Sequence, residues 1–208
     1  MDAGKSKSRF GHQLCKNHCL QFMIMLIWIF YSLFLVLLGR SFDLVTENLT
    51  GLAFLHRKWL PLFIFCLLTC LIFFTFSATE EKIRQNWTLF WLLGFSCLCM
   101  GLFPLVPYLP DHPILNDLHV WGTIAGFALY QAVWICAFLP SFSDLYLLSV
   151  LSSDDRTVLM VQVLILAGGW LIICFTGHIS GLSELIYGFL EVTFLCWRRI
   201  YSVRRQRK

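Results

Sequence analysis

Six apolar stretches, near residues 21–39, 60–78, 87–106, 118–139, 158–176 and 180–197, occupy more than half of a 208-residue chain. A hydrocarbon layer of about 30 Å is crossed by roughly 20 helical residues rising about 1.5 Å each. Every stretch meets or nearly meets that length, and Asp, Glu, Lys and Arg stay out of all but the last. In lipid such a segment satisfies its own N–H and C=O groups by forming a helix. The expected fold is therefore all-α: a polytopic membrane protein built as a compact up-and-down bundle of six transmembrane helices. Hydrophobic residues make up 58% and charged ones 13%, with a mean hydropathy of +0.73, outside the range of soluble globular domains.

The distribution of basic residues sets an expected orientation. A basic tail (Lys5, Lys7, Arg9, Lys16) precedes the first stretch, which ends at Gly39-Arg40 with no small-residue cleavage pattern. An ordinary first helix fits better than a cleaved signal peptide. With the amino terminus cytoplasmic, the inner side holds that tail, Lys82, Arg84, Arg156, and the group Arg198, Arg199, Arg204, Arg205, Arg207 and Lys208. Only Arg40, Arg57 and Lys58 fall outside. This skew follows the positive-inside rule and predicts both termini in the cytoplasm. The organisation expected is a tail over 1–20, a membrane domain over 21–197 and a second basic tail over 198–208. That last tail is read as an anchor on anionic lipid head groups. No aromatic interleaving or folded basic face accompanies it, which argues against nucleic acid as a partner.

The nine cysteines fall in spans or at the inner face, none in an expected outer loop, so no disulfide framework is implied. Cys15 and Cys19 flank His18 with His12 upstream, a spacing that matches no closed four-ligand zinc pattern. Asn48-Leu49-Thr50 is a formal glycosylation sequon in the first outer loop. Loops are short, with 40–59 and 140–157 the longest, and neither is large enough for a core of its own. Gly122 and Gly126 make a GxxxG step and Ala167-Gly168-Gly169 a second run of small residues, which predicts close helix packing.

Sorting polar residues by side gathers Asp111, His112, Asp117, His119, His178 and Glu184 at the outer face. The candidate catalytic residues are His119, Asp117 and Glu184; the candidate metal ligands are His119, His178 and Glu184. Imidazoles and carboxylates are the groups that hold zinc or run general acid–base chemistry. Each also has a structural use: Asn116 or Asp117 can cap the fourth helix and Ser180 the sixth, and His112 and His178 can sit solvated in turns. Glu191 stands apart as a buried membrane charge, about 16 Å below the start of its helix. A carboxylate there costs roughly 2.5–3.5 kcal/mol, so it is expected to face Tyr130, Gln131 or Gln162 rather than lipid. A neutral interhelical hydrogen bond and a proton relay both remain open to it.

Gly-Leu-Phe-Pro at 101–104, Asn-Asp-Leu-His at 116–119, and Gly181-Leu-Ser-Glu-Leu followed by Trp197 carry a resemblance. Together they resemble a six-helix prokaryotic membrane family, catalogued as domain of unknown function nine hundred and ninety-eight, which is similar to the DRAM-like membrane proteins. The resemblance matches His119 to the histidine that opens the family's fourth helix and Phe103-Pro104 to its Phe-Pro signature. It implies a bacterial or archaeal cell membrane and brings no agreed activity. Leu185 stands where that family often places a basic residue.

Three functions follow from these residues. The first is a non-enzymatic, lipid-interacting or accessory membrane protein. The second is an intramembrane metal-dependent hydrolase or lipid-modifying enzyme, which an HxxxH motif would have favoured and this chain lacks. The third is a small transporter, for which no inverted repeat or paired charge is visible. GxSxG and phosphate-binding glycine loops are absent. The expected reading is the first, with zinc as the one cofactor the outer histidines would suit.

Overall fold

The helices of this chain start and stop where caps and prolines dictate, and their ends differ from the ends of the apolar stretches. The computed structural model describes residues 3–54, 56–106, 112–139, 152–176 and 179–205, with backbone alone for 3–17, 51–52 and 204–205. Among these, all regular structure is helical: α1 (Ala3–Gly39), α2 (Leu49–Phe54), α3 (Trp59–Ser77), α4 (Glu81–Gln85), α5 (Trp87–Leu102), α6 (Pro113–Phe138), α7 (Ser153–Thr176) and α8 (Gly181–Arg205).

Proline and polar caps explain most boundaries. α5 starts after Asn86, whose side chain accepts from the Leu89 N–H at 3.2 Å. It ends in a 3-10 turn, Phe103–Leu105, where Pro104 has no N–H to continue the ladder. α6 begins at Pro113, in the first helical position that suits proline, rather than near residue 118. Asn116 and Asp117 consequently lie inside the first turns, and the expected cap at either residue is corrected: the N-cap position is His112, without a side-chain cap bond. α7 begins at Ser153 because the Ser152 hydroxyl accepts from the Asp155 N–H at 3.1 Å. The segment 40–59, expected as a loop, contains α2, whose Leu49 and Ala53 lie one turn apart and are both buried.

Five segments are long and apolar enough to cross a membrane: His18–Gly39, Trp59–Ser77, Trp87–Leu105, Pro113–Phe138 and Ser153–Thr176. This architecture is compatible with a helical membrane bundle. α8 has 25 residues and includes Glu184, Glu191, Arg198 and Arg199. It packs against α1, α3 and α7, while α5 packs between α3 and α6.

Small residues set the closest approach. A Cβ placed on Gly126 would lie 2.9 Å from the Met100 backbone nitrogen, and one on Gly122 would lie 2.3 Å from the Phe103 ring. The expected GxxxG step thus joins α6 to the end of α5. The second run makes no such close approach: among the described residues nothing lies within 4 Å of a Cβ on Gly168, and one on Gly169 meets Tyr187 of α8 at an ordinary packing distance of 3.6 Å. The core is aromatic along α6, where Tyr130, Trp134 and Phe138 recur every four residues and are all buried. Phe73 of α3 packs on Tyr130 with ring centroids 4.9 Å apart.

One end of the bundle is closed by ion pairs. The Arg198 guanidinium donates to Glu80 through Nε (3.0 Å) and Nη2 (2.7 Å) and to Asp154 through Nη1 (2.8 Å). Lys82 donates to Asp155 at 2.8 Å. Arg198 and Lys82 both lie over the Phe138 ring, at 5.5 and 4.7 Å.

Candidate functional site

At the opposite end, the segment after α1 folds back over the start of α8. The free N–H groups of Gly181 and Leu182 donate to the carbonyls of Glu47 (2.6 Å) and Leu44 (2.8 Å). Close approach demands glycine here, since a Cβ on Gly181 would lie 2.2 Å from the Phe42 ring. Ser180 caps α8 as expected: its hydroxyl accepts from the Ser183 N–H at 3.4 Å, and the Ser183 hydroxyl returns to the Ser180 carbonyl at 2.7 Å. The fold-back segment is held in turn by Asp43, whose side chain accepts from the Val45 N–H at 2.9 Å and the Thr46 N–H at 3.4 Å. These backbone donors hold the Asp43 carboxyl below its ordinary value.

Two of the expected site residues meet at the start of α2. Glu184 Oε2 accepts from the Leu49 N–H at 2.7 Å. His119 Nε2 lies 3.0 Å from the Thr50 hydroxyl, and its Nδ1 lies 2.9 and 3.0 Å from the carbonyls of Phe103 and Val106. Carbonyls only accept, so Nδ1 carries the proton; Nε2 then accepts, and Thr50 donates. His119 and Thr50 are 6% and 2% exposed, which makes this tautomer a buried fixture. His119 therefore joins the Phe-Pro turn to α2, while Glu184 joins α8 to the adjacent residue of α2. The sequon threonine is the residue that carries the His119 contact.

The other candidates lie elsewhere. Asp117 and His112 are exposed, and Asp111 and His178 lie outside the described residues. Among the described residues no three His, Cys, Asp or Glu side chains are grouped to hold one metal ion. The described cysteines are free thiols, and Cys70 donates to the Cys97 carbonyl at 3.0 Å.

Glu191 is fully buried and accepts from Gln162 Nε2 at 2.9 Å, one of the three partners expected for it. Tyr130 and Gln131 also face its carboxylate. Tyr130 hydrogen-bonds Ser77 at 3.0 Å, Trp134 Nε1 donates to the same hydroxyl at 3.2 Å, and Gln131 Nε2 donates to the Tyr187 hydroxyl. A polar seam thus runs through α3, α6, α7 and α8. Three of its acceptor atoms have no partner among the described residues: Glu191 Oε2, Gln162 Oε1 and Gln131 Oε1.

Sequence reading missed Thr50 as a partner and the Arg198 pairs. Thr50 was visible only as part of the sequon. Arg198 was visible as the first cation after the last apolar stretch, but its acceptors come from residues 80 and 154 and have no local signature.

Comparison with protein-family models, curated proteins and solved structures gives no match.

Proposed function

We propose that this chain is a six-crossing integral membrane protein with both termini cytoplasmic, acting as a non-enzymatic, lipid-interacting or accessory component of a bacterial or archaeal cell membrane. Five apolar helices support the membrane reading, and α8 supplies the sixth crossing. Between Gly181, bonded to the segment after α1, and Arg198, bonded to Glu80 and Asp154, α8 covers about 25 Å. Lys82, Arg84, Arg156 and Arg199 share the Arg198 end of the sequence pattern, whereas Arg40, Arg57 and Lys58 belong to the other. The family resemblance and a carboxyl-terminal tail resting on anionic head groups belong to the same reading.

The observation that carries the non-enzymatic part is the state of His119. Both ring nitrogens engage protein groups, and the neighbouring carboxylate of Glu184 is spent on a backbone N–H. These residues hold the outer segment onto the bundle. The test is zinc analysis of purified protein together with thermal unfolding of wild type and His119→Ala. The expected outcome is a loss of about 1–3 kcal/mol of stability, as for any buried polar group deprived of its partner, with bound zinc unchanged. Stoichiometric zinc that disappears with His119→Ala would instead overturn this reading in favour of a metal site, the first requirement of a metal-dependent hydrolase or lipid-modifying enzyme.

A further inference from the structure

The polar seam between α6, α7 and α8 leaves Glu191 Oε2, Gln131 Oε1 and Gln162 Oε1 without a partner among the described residues. The three side chains are 0%, 2% and 0% exposed, so water does not reach these oxygens from outside. With Glu191 ionised, all three atoms can only accept. What the seam lacks is therefore a donor, and leaving buried acceptors unserved is costly.

An ionised Glu191 would lack a counter-charge as well. Its Oε1 accepts from Gln162 Nε2 at 2.9 Å, and Tyr130 and Gln131 are the other groups within hydrogen-bonding reach of the carboxyl. The titratable side chains that act on it are the phenols Tyr130 of α6 and Tyr187 of α8. Among the described residues no Lys, Arg or His does so. Glu184 and Arg198 lie seven residues to either side on the same helix, about 10 Å along its axis. Glu184 is spent on the Leu49 N–H, and Arg198 is held by Glu80 and Asp154. Turning the Gln131 amide end for end would offer the carboxyl an N–H but would bring no positive charge. A carboxyl buried without a cation takes up a proton instead.

We propose that Glu191 is a buried proton-binding site, its Oε2 carrying a hydrogen that it donates to Gln131 Oε1. One added hydrogen then engages two of the three unserved oxygens. A proton is also a ligand that needs no cavity, which suits a side chain with no exposure. Losing it strands a charge among three helices, so the bonding of the seam follows proton occupancy. This inference goes beyond the lipid-interacting reading and does not depend on it.

The experiment is infrared spectroscopy of full-length protein in phosphatidylcholine vesicles at neutral pH, where an exposed carboxyl is ionised. The expected result is the carbonyl stretch of a neutral carboxylic acid, shifted down in D2O and lost in Glu191→Gln. Glu184→Gln, which alters the other buried carboxyl of α8, should leave that band in place. Gln131→Leu removes the acceptor and should move the band to higher wavenumber. Labelling glutamate with heavy carbon at the side-chain carboxyl, in the wild type and in Glu184→Gln, should shift the band without altering Glu191. That arm keeps the test decisive if Glu191→Gln fails to fold. Absence of the band from the wild type, or its full survival in Glu191→Gln, would overturn the proposal. A band unmoved in Gln131→Leu would overturn Gln131 Oε1 as the acceptor.

Discussion

A single hydroxyl on a six-residue helix decides how the end of the bundle where α8 starts is wired. Thr50 donates a hydrogen bond to His119 Nε2, while Nδ1–H serves the Phe103 and Val106 carbonyls. Thr50→Val keeps the shape but strands a buried acceptor. It should cost about 1–3 kcal/mol in thermal unfolding, with Thr50→Ser recovering most of the loss. Identical melting of the valine and serine variants would mean that the contact contributes nothing. Glu191 poses a different case, a buried carboxyl that accepts from Gln162 Nε2 through one oxygen while the other, Oε2, has no partner among the described residues. Glu191→Gln keeps an acceptor for Gln162 Nε2 in a group of the same shape and should leave stability within about 0.5 kcal/mol of wild type, whereas Glu191→Leu should destabilise by about 1–3 kcal/mol because Gln162 Nε2 then loses its acceptor. A Gln variant as unstable as the Leu variant would show that the seam requires the carboxyl itself. His119 and Glu191 could both be picked out from residue type and depth. Gln162 stood among the three partners expected for Glu191, because it lies at a matching depth in a neighbouring span, whereas Thr50, 69 residues from His119, carried no such signal.

Helix ends and helix contacts follow different rules. An apolar run marks where lipid begins, whereas a helix begins at its cap; α6 and α7 therefore extend upstream of their runs to Pro113 and Ser153. The two small-residue motifs looked alike in sequence but differ in their surroundings. Gly126 lies against the Met100 backbone, which has no rotamer with which to yield, while none of the described residues lies within 4 Å of a Cβ on Gly168. Gly126→Leu should therefore force α6 off α5 and cost about 3 kcal/mol or prevent folding. Gly168→Leu should be neutral or stabilising, because glycine is a poor helix former. Detergent unfolding of the pair checks this, and equal effects would contradict the packing described. A pattern of glycines records that an approach is permitted; only the neighbouring helix decides whether it is used.

At the scale of the molecule, Arg198 ties together three separate parts of the chain. Its side chain is 11% exposed and those of Glu80 and Asp154 are 14% and 17%, so water does little to screen the pair. Arg198→Ala removes the guanidinium from Glu80, at the N-cap of α4, and from Asp154, in the first turn of α7, and should lower stability by about 3 kcal/mol. Arg198→Lys should recover only part, because an ammonium lacks the fork that engages both Glu80 oxygens. Unfolding midpoints of the two variants measure this, and a neutral Arg198→Ala would reduce the contact to a surface pair.

The linear order of residues determined by itself that this chain is helical, membrane-sized and polarised in charge. Hydropathy over about 20 residues and the spread of Lys and Arg are local sums that need no tertiary knowledge. The same order singled out His119, Glu184 and Glu191, because a polar group at an apolar depth stands out against its neighbours. Only the tertiary structure decided what these groups do. It brought α2 under the fold-back segment, so His119 and Glu184 became fastenings at adjacent residues. It also set Gln131 beside Glu191 with one oxygen unserved, and it gathered Glu80, Asp154 and Arg198 at one end. Hydrogen bonds and ion pairs act over about 3 Å between residues far apart in the chain, and nothing in a local window encodes which of them will meet.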